Sequence, residues 1–153
     1  MRELRREDRR TSQEEMIELL QQGEYGILSS VDREGQPYGV PVSYIYRNEA
    51  IYFHSALKGH KLDNISSNPK VSFSVVGEVQ LLAEQFTTNY ESVVACGTAS
   101  EIWGDEKIDA LLGIIKKYSP EFLEAGKEYI KNDHSITQVI KISLNHMSGK
   151  ARR

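Results

Sequence analysis

The chain of 153 residues has one cysteine, Cys96, and no apolar run as long as a membrane span. A single cysteine excludes an intrachain disulfide and a cysteine-based zinc knuckle, so we expect a reducing cytoplasm and a small, buried Cys96. The charged N-terminus lacks the apolar segment of a secretory signal. A net charge of −3 gives no support for broad attraction to nucleic acid or anionic lipid. These absences predict a soluble, cytoplasmic protein with neither a nucleic-acid nor a membrane partner.

Several motifs that define enzyme classes are also missing. The sequence contains no Gly-x-Ser-x-Gly, His-Glu-x-x-His, P-loop or Gly-x-Gly-x-x-Gly pattern, so hydrolase, zinc protease, NTPase and Rossmann interpretations lack their defining residues. The four histidines are scattered, and we predict no metal site. A bound cofactor is the expected source of any reactivity, because cofactors bring their own chemistry.

Length and local patterns predict one domain over residues 1–153, with 1–10 as an N-terminal arm. Acidic residues nearly balance the arginines of the arm, which favours a solvated or subunit-covering role. Ser12 stands at capping-box spacing before an amphipathic pattern that stops near Gly23, which predicts a first helix. Alternating patterns predict about six strands, at 25–31, 38–46, 50–55, 70–76, 91–103 and 138–144. Helices are predicted from near His60, from Asp105, and after Pro120. The fold class is mainly antiparallel β with α additions.

The segment 51–69 joins a strand, a glycine-containing turn and a helix start that carries Lys58, His60 and Lys61. The first N–H groups of a helix lack intrahelical partners and carry the positive end of its dipole, so an anion is stabilised there. This pattern is typical of a phosphate site. A solvated helix start is the alternative, and the local pattern alone leaves it open.

Two consecutive predicted strands, 40–44 and 52–56, bring small or polar residues to alternate positions, and a flat heteroaromatic ring can lie against them. Core packing is the alternative for Tyr44, and an exposed strand face is the alternative for Ser43, His54 and Ser55.

Several segments of the sequence resemble the flavin split-barrel proteins. More narrowly, they resemble the pyridoxamine 5′-phosphate oxidase-related branch that includes the nitroimidazole-resistance proteins. They are the segments 23–30, 35–42, 51–54, 59–65, 68–73 and 90–93. The resemblance runs from about Arg5 to the C-terminal Gly-Lys-Ala-Arg-Arg.

The resemblance implies a six-stranded split β-barrel that forms a homodimer and binds FMN in clefts between the subunits. It implies that the FMN is met by Val42, Ser43, Tyr44, His54, Ser55, Ala56, Lys58, His60, Lys61 and Asn64, and from the second subunit by Thr88, Asn89, Tyr90 and Trp103. It also implies a functional histidine near the flavin, for which His54 is the first candidate and His60 the second.

The expected function is an FMN-dependent oxidoreductase that passes electrons from a reduced donor to a small aromatic or nitro compound. His54 is the expected proton donor, with a titration near neutral pH. The alternatives are a non-catalytic flavin carrier or redox sensor, and a haem-binding protein that uses a histidine as axial ligand. The sequence shows no recognisable pyridoxal-phosphate substrate site, and it identifies neither the donor nor the acceptor.

Overall fold

The computed structural model describes residues 4–153. A seven-stranded antiparallel sheet has the strand order β2-β1-β5-β6-β7-β4-β3. The strands are β1 (Gly26–Val31), β2 (Pro37–Val42), β3 (Ile45–Arg47), β4 (Ala50–Ala56), β5 (Lys70–Leu82), β6 (Thr87–Ile102) and β7 (Thr137–Arg152). The helices are α1 (Gln13–Gln22), α2 (His60–Ser67), α3 (Gly104–Tyr118) and α4 (Leu123–Asp133). This architecture confirms the predicted fold class.

Helix α1 begins where the capping box predicts. The Glu15 backbone N–H donates to Ser12 Oγ at 3.2 Å, and the Ser12 N–H donates to Glu15 Oε2 at 2.8 Å. These two bonds satisfy N–H groups that the first helical turn leaves without partners. At the other end Gly23 is the C-cap, as expected from the sequence.

The strand count is seven rather than the six expected, because the single strand predicted at 38–46 is broken at Ser43 and Tyr44 into β2 and β3. The Tyr44 backbone N–H donates to Tyr118 Oη at 2.9 Å, and the Tyr44 carbonyl accepts from Lys117 Nζ at 3.1 Å. Side chains from the end of α3 thus replace a neighbouring strand as hydrogen-bond partners of Tyr44. The last strand also exceeds its prediction, since β7 continues to Arg152.

The sheet curls into a barrel with a split. Ser43 and Tyr44 alone connect β2 to β3, which are the two ends of the strand order, so the ends of the sheet are joined at this corner. Beyond the corner, β2 pairs with β1, and residues 53–56 of β4 pair with β7. Within the described chain, the other edge of each of these segments has no strand partner. We call the opening between these two edges the split.

The first half of strand β4, residues 50–53, is covered on both faces. Ile51 and Phe53 point into the barrel core, whereas Tyr52 points outward into a second core formed with α3 and α4. Alternation along the strand therefore places His54 on the outward side with Tyr52, as the sequence predicts. The helices inserted between β6 and β7 thus form a layer over this part of the barrel.

The predicted arm covers residues 1–10, of which 1–3 lie outside the described residues. Its remainder contains a short 3₁₀ turn at Glu7–Arg9 and runs to Arg10, which forms an isolated β-bridge with Lys150. The arm thus lies against the end of β7, and its subunit-covering role stays a prediction. Cys96 is half-buried rather than fully buried. None of the helices within residues 4–153 is both long and apolar enough to span a lipid bilayer.

Candidate functional site

The start of α2 presents a cluster of positive groups next to the end of β4. Gly59 is the N-cap, and its carbonyl accepts from the backbone N–H groups of Leu62 and Asp63 at 3.0 and 3.1 Å. No side chain of the described residues caps this helix start. Lys58 is exposed and Lys61 is half-buried. The start of α2 therefore combines free N–H groups with two nearby lysines in the sequence, a combination that stabilises an anion.

His60, the first residue of α2, stacks on Tyr38 of β2. The ring centroids are 4.0 Å apart and the ring planes differ by 28°. The stack attaches the start of α2 to the β2 edge of the split. Sequence analysis did not predict Tyr38 as a site residue, because the segment 35–42 that contains it indicates only the family resemblance.

Asn64 docks α2 onto the barrel. Its Nδ2 donates to Ser30 Oγ on β1 at 3.0 Å, and both side chains are buried. A buried polar group is stable only when it is hydrogen-bonded, so this bond explains why Asn64 is tolerated in the interior. The structure thus gives Asn64 an anchoring role, and its contact with a ligand stays a prediction.

Ser55 and Gln138 form a cross-strand pair at the end of β4. Ser55 is 7% exposed, and neither Ser55 Oγ nor Gln138 Oε1 has a hydrogen-bond partner within the described structure. A buried polar group left unpaired costs about 1–3 kcal/mol. Two such groups side by side indicate a place where a water or a polar atom of a ligand completes the hydrogen bonding.

His54 lies on the outward face of β4, and both His54 and Ala56 are exposed, although α3 and α4 desolvate part of the His54 ring. Burial, and secondarily the positive charge of Lys61, lower the pKa of His54 below its usual value. The shift lowers the pH range in which His54 titrates, and its role as a proton donor stays a prediction. A neutral imidazole donates a hydrogen bond through one ring nitrogen and accepts one through the other.

The Tyr44 side chain does not line the split. It is fully buried, and its ring meets the Phe73 ring edge-on at a centroid distance of 4.8 Å. Lys117 Nζ lies 4.1 Å from the Tyr44 ring centroid, within the range of a cation–π contact. The Tyr44 ring therefore packs in the barrel core, which was the alternative interpretation of the sequence. The corner between β2 and β3 turns the ring inward.

Val42 is half-buried and Ser43 is exposed at the same corner. Ser43 lines an open cavity of about 560 Å³ together with Lys117 and Tyr118. Sequence analysis missed both of these residues from α3, since no local pattern connects them with a corner more than 70 residues earlier in the chain.

Thr88, Asn89 and Tyr90 are half-buried on β6, and Trp103 is 67% exposed at the N-cap of α3. Strand β6 lies between β5 and β7, so it borders neither edge of the split. The contact of these residues with a ligand through a second subunit stays a prediction.

One curated relative matches part of the chain. An uncharacterised protein of Rhizobium meliloti is 35% identical over 72 residues, which is 46% of this chain and 42% of that protein. The match thus spans about two fifths of the length of this curated relative.

Two solved structures share the fold. One is a proposed 5-nitroimidazole antibiotic resistance protein from Bacteroides thetaiotaomicron, with a TM-score of 0.75 and 23% identity, covering 92% of this chain and 84% of that one. The other is an FAD- and haem-binding protein from Mycobacterium smegmatis, with a TM-score of 0.80 and 19% identity, covering 94% of this chain and 72% of that one. Both likenesses agree with the split barrel. A family model described as pyridoxamine 5′-phosphate oxidase matches residues 12–151, and this chain belongs to the pyridoxamine 5′-phosphate oxidase family.

Proposed function

We propose that the protein binds FMN, with the phosphate at the start of α2, and acts as an oxidoreductase that passes electrons from a reduced donor to a small aromatic or nitro compound. The observation that carries the proposal is the uncapped start of α2, flanked by Lys58 and Lys61, beside the end of β4. Family membership supports it. The likeness to a protein that binds FAD supports a flavin as the class of cofactor.

The residues at this place fit a flavin phosphate and a polar ring. The N–H groups of α2 and the ammonium groups of Lys58 and Lys61 match a dianionic phosphate in charge and in hydrogen-bonding type. The unpaired Ser55 Oγ and Gln138 Oε1 can take hydrogen bonds from a polar ligand or from a bridging water. When bound, a flavin supplies hydride and electron transfer.

His54 is the residue we propose to orient the substrate or to handle a proton. The positive charge of Lys61, one of the proposed phosphate ligands, contributes to the lowered pKa of His54. An imidazole can accept a proton or hold a polar substituent by hydrogen bonds. His60 is a weaker candidate because its ring is stacked on Tyr38.

We also propose a homodimer. The hairpin of β5 and β6 exposes Val79, Leu81 and, at its tip, Phe86, which is 97% exposed. Apolar side chains grouped on one hairpin favour a surface covered by another chain. A second copy of the chain satisfies this requirement and can supply the β6 residues that a cleft at the split lacks.

The absorption spectrum of the purified protein, with and without added FMN, tests the cofactor. We expect a flavin spectrum and much weaker binding of riboflavin than of FMN, because riboflavin lacks the phosphate. Equal affinities would contradict the phosphate site. A haem spectrum would favour the haem-binding alternative. Bound FMN without turnover of any donor would favour the carrier or redox sensor.

A substitution at the helix start tests the residues. Lys61→Ala should weaken FMN binding by about 1–3 kcal/mol, the scale of a lost charge-assisted hydrogen bond. The matched control is Lys116→Ala on α3, an exposed lysine outside the candidate site, which should leave the dissociation constant unchanged. If both substitutions weaken FMN binding equally, Lys61 does not make a specific contact with the phosphate.

A further inference from the structure

Helix α2 is attached to the barrel by two side-chain contacts on one of its faces. His60 and Asn64 are four residues apart in α2, so they lie on the same side of the helix. His60 stacks on Tyr38, and Asn64 donates a hydrogen bond to Ser30. Tyr38 and Ser30 are in turn directly paired across β2 and β1. We call these four residues the α2 anchor.

The chain that leads into α2 does little to fix the position of the helix start. Gly59, the N-cap, has φ +158° and ψ 160°, a backbone conformation that is essentially restricted to glycine. Leu57 and Lys58, the two residues before it, are exposed. A helix of 8 residues is not stable by itself, so its packing against the barrel decides where its first turn lies.

The two contacts of the α2 anchor hold different parts of the helix. Asn64 and the adjacent Ile65 are buried and fix the middle of α2. His60 is the first helical residue, so its stack on Tyr38 holds the end of α2 that carries the free N–H groups. Leu62 adds partly buried packing against the barrel core. Loss of the stack should therefore loosen the first turn without unfolding the helix.

A binding site that is ordered before its ligand arrives binds more tightly, because the ligand does not have to order it. We propose that Tyr38 is a positioning residue for the flavin phosphate. By stacking on His60, Tyr38 holds the first turn of α2 in the position in which its free N–H groups bind the phosphate. The inference rests on the proposed function, because it takes the start of α2 as the phosphate site.

Hydrogen exchange in the full-length protein freed of flavin tests the hold on the first turn. The N–H groups of Leu62 and Asp63 close this turn by donating to the Gly59 carbonyl. In Tyr38→Leu they should exchange roughly two- to tenfold faster than in wild type, the range expected for the loss of one aromatic pair. The N–H of Asn68, at the other end of α2, should keep its rate.

Tyr38→Phe keeps the ring and should show the wild-type exchange rates. Equal rates in wild type and Tyr38→Leu would overturn the proposal. If Tyr38→Leu does not fold, His60→Leu takes its place in this experiment, because it removes the stack from its exposed side. The same increase in the exchange rates is expected, and its absence would overturn the proposal equally.

Binding of FMN and riboflavin to the same variants tests the effect on the phosphate. The ratio of the riboflavin dissociation constant to that of FMN measures how much the phosphate contributes. Tyr38→Leu should raise the FMN dissociation constant roughly two- to tenfold and leave that of riboflavin unchanged, so the ratio should fall. Tyr38→Phe should restore the wild-type ratio.

Tyr46→Leu is the matched control, since it makes the same substitution at a half-buried tyrosine of β3, and it should keep the wild-type ratio. Equal weakening of FMN and riboflavin by Tyr38→Leu would overturn the proposal. In that case Tyr38 would contact the flavin ring or support the fold in general.

Failure of this proposal and failure of the proposed function give different results. Equal affinities of wild type for FMN and riboflavin would reject the phosphate site, and with it the positioning role. A preference of wild type for FMN that Tyr38→Leu keeps in full would reject the positioning role and leave the phosphate site intact.

Discussion

Tyr118 Oη lies 2.9 Å from the backbone nitrogen of Tyr44 and accepts its hydrogen bond, although 74 residues separate the two tyrosines. The same hydroxyl donates to the carbonyl of Glu24 at 2.6 Å. Lys117, the residue before Tyr118, donates to the carbonyls of Gly23 and Tyr44 at 2.7 and 3.1 Å. The end of α3 thus joins the segment before β1 to the corner between β2 and β3, where the barrel closes.

Removing the Tyr118 hydroxyl should destabilise the fold. In Tyr118→Phe the Tyr44 N–H loses its acceptor and the Glu24 carbonyl loses a donor, so we expect the free energy of unfolding to fall by about 1–3 kcal/mol. Urea denaturation followed by circular dichroism measures this change. Tyr129→Phe is the control, since Tyr129 is 65% exposed and its hydroxyl has no hydrogen-bond partner in the described structure. Equal stability of the two variants would contradict a role for Tyr118 at the corner.

The lowered pKa of Lys117 should make the free energy of unfolding depend on pH. Burial lowers the pKa of Lys117 from 10.5 to about 8. Between these two values the unfolded chain holds a proton at this lysine that the folded chain has lost, so the free energy of unfolding rises with pH through this window. Below about pH 8 the lysine is protonated in both states and contributes no slope.

The comparison that isolates this effect uses Lys117→Met, which keeps the length of the aliphatic chain. We expect the free energy of unfolding of wild type to rise relative to that of Lys117→Met as the pH rises from 8 to 10. Urea denaturation at each pH measures this difference. A difference that is constant over this range would show that the pKa of Lys117 is the same in the folded and unfolded states.

The pKa of His54 should depend on the charge of Lys61. Lys61 contributes to the low pKa of His54 through its positive charge, after the larger effect of burial. In Lys61→Met the pKa of His54 should therefore rise toward its ordinary value, measured by the chemical shift of the imidazole carbon during an NMR titration. Lys58→Met is the control, because the charge of Lys58 is not among the causes of the shift. An unchanged His54 pKa in Lys61→Met would show that the two side chains do not interact in solution.

The exposed hairpin of β5 and β6 predicts how the proposed dimer dissociates. Leu81 is 78% exposed on this hairpin, and Leu81→Asp places a charge on the proposed dimer surface, where its desolvation is costly. We expect wild type to sediment as a dimer and Leu81→Asp to sediment largely as a monomer at the same concentration. Ile136→Asp, at a position that is 62% exposed away from the hairpin, should remain dimeric. A monomeric wild type with FMN fully bound would reject the dimer proposal.

From the sequence alone, the features that depend on near neighbours were predictable. Ser12 and Glu15 cap α1 across a single turn. The period of two along β4 places His54 and Phe53 on opposite faces. The candidate phosphate site was predictable for the same reason, because residues 58–61 are contiguous and come together wherever a helix starts at His60. The family resemblance supplied the barrel itself, which local patterns do not specify.

Only the tertiary structure decided the corner of the barrel and the surroundings of the site. Tyr44 lies in a strand-like pattern, but Lys117 and Tyr118 interrupt that strand from 73 and 74 residues away. The stack of His60 on Tyr38, the Asn64–Ser30 bond and the cavity that His54 lines together with α3 and α4 also join residues that are distant in sequence. Capping and side-chain periodicity act over about four residues. Contacts between distant segments depend on how the whole sheet closes, so no local pattern in this sequence predicts them.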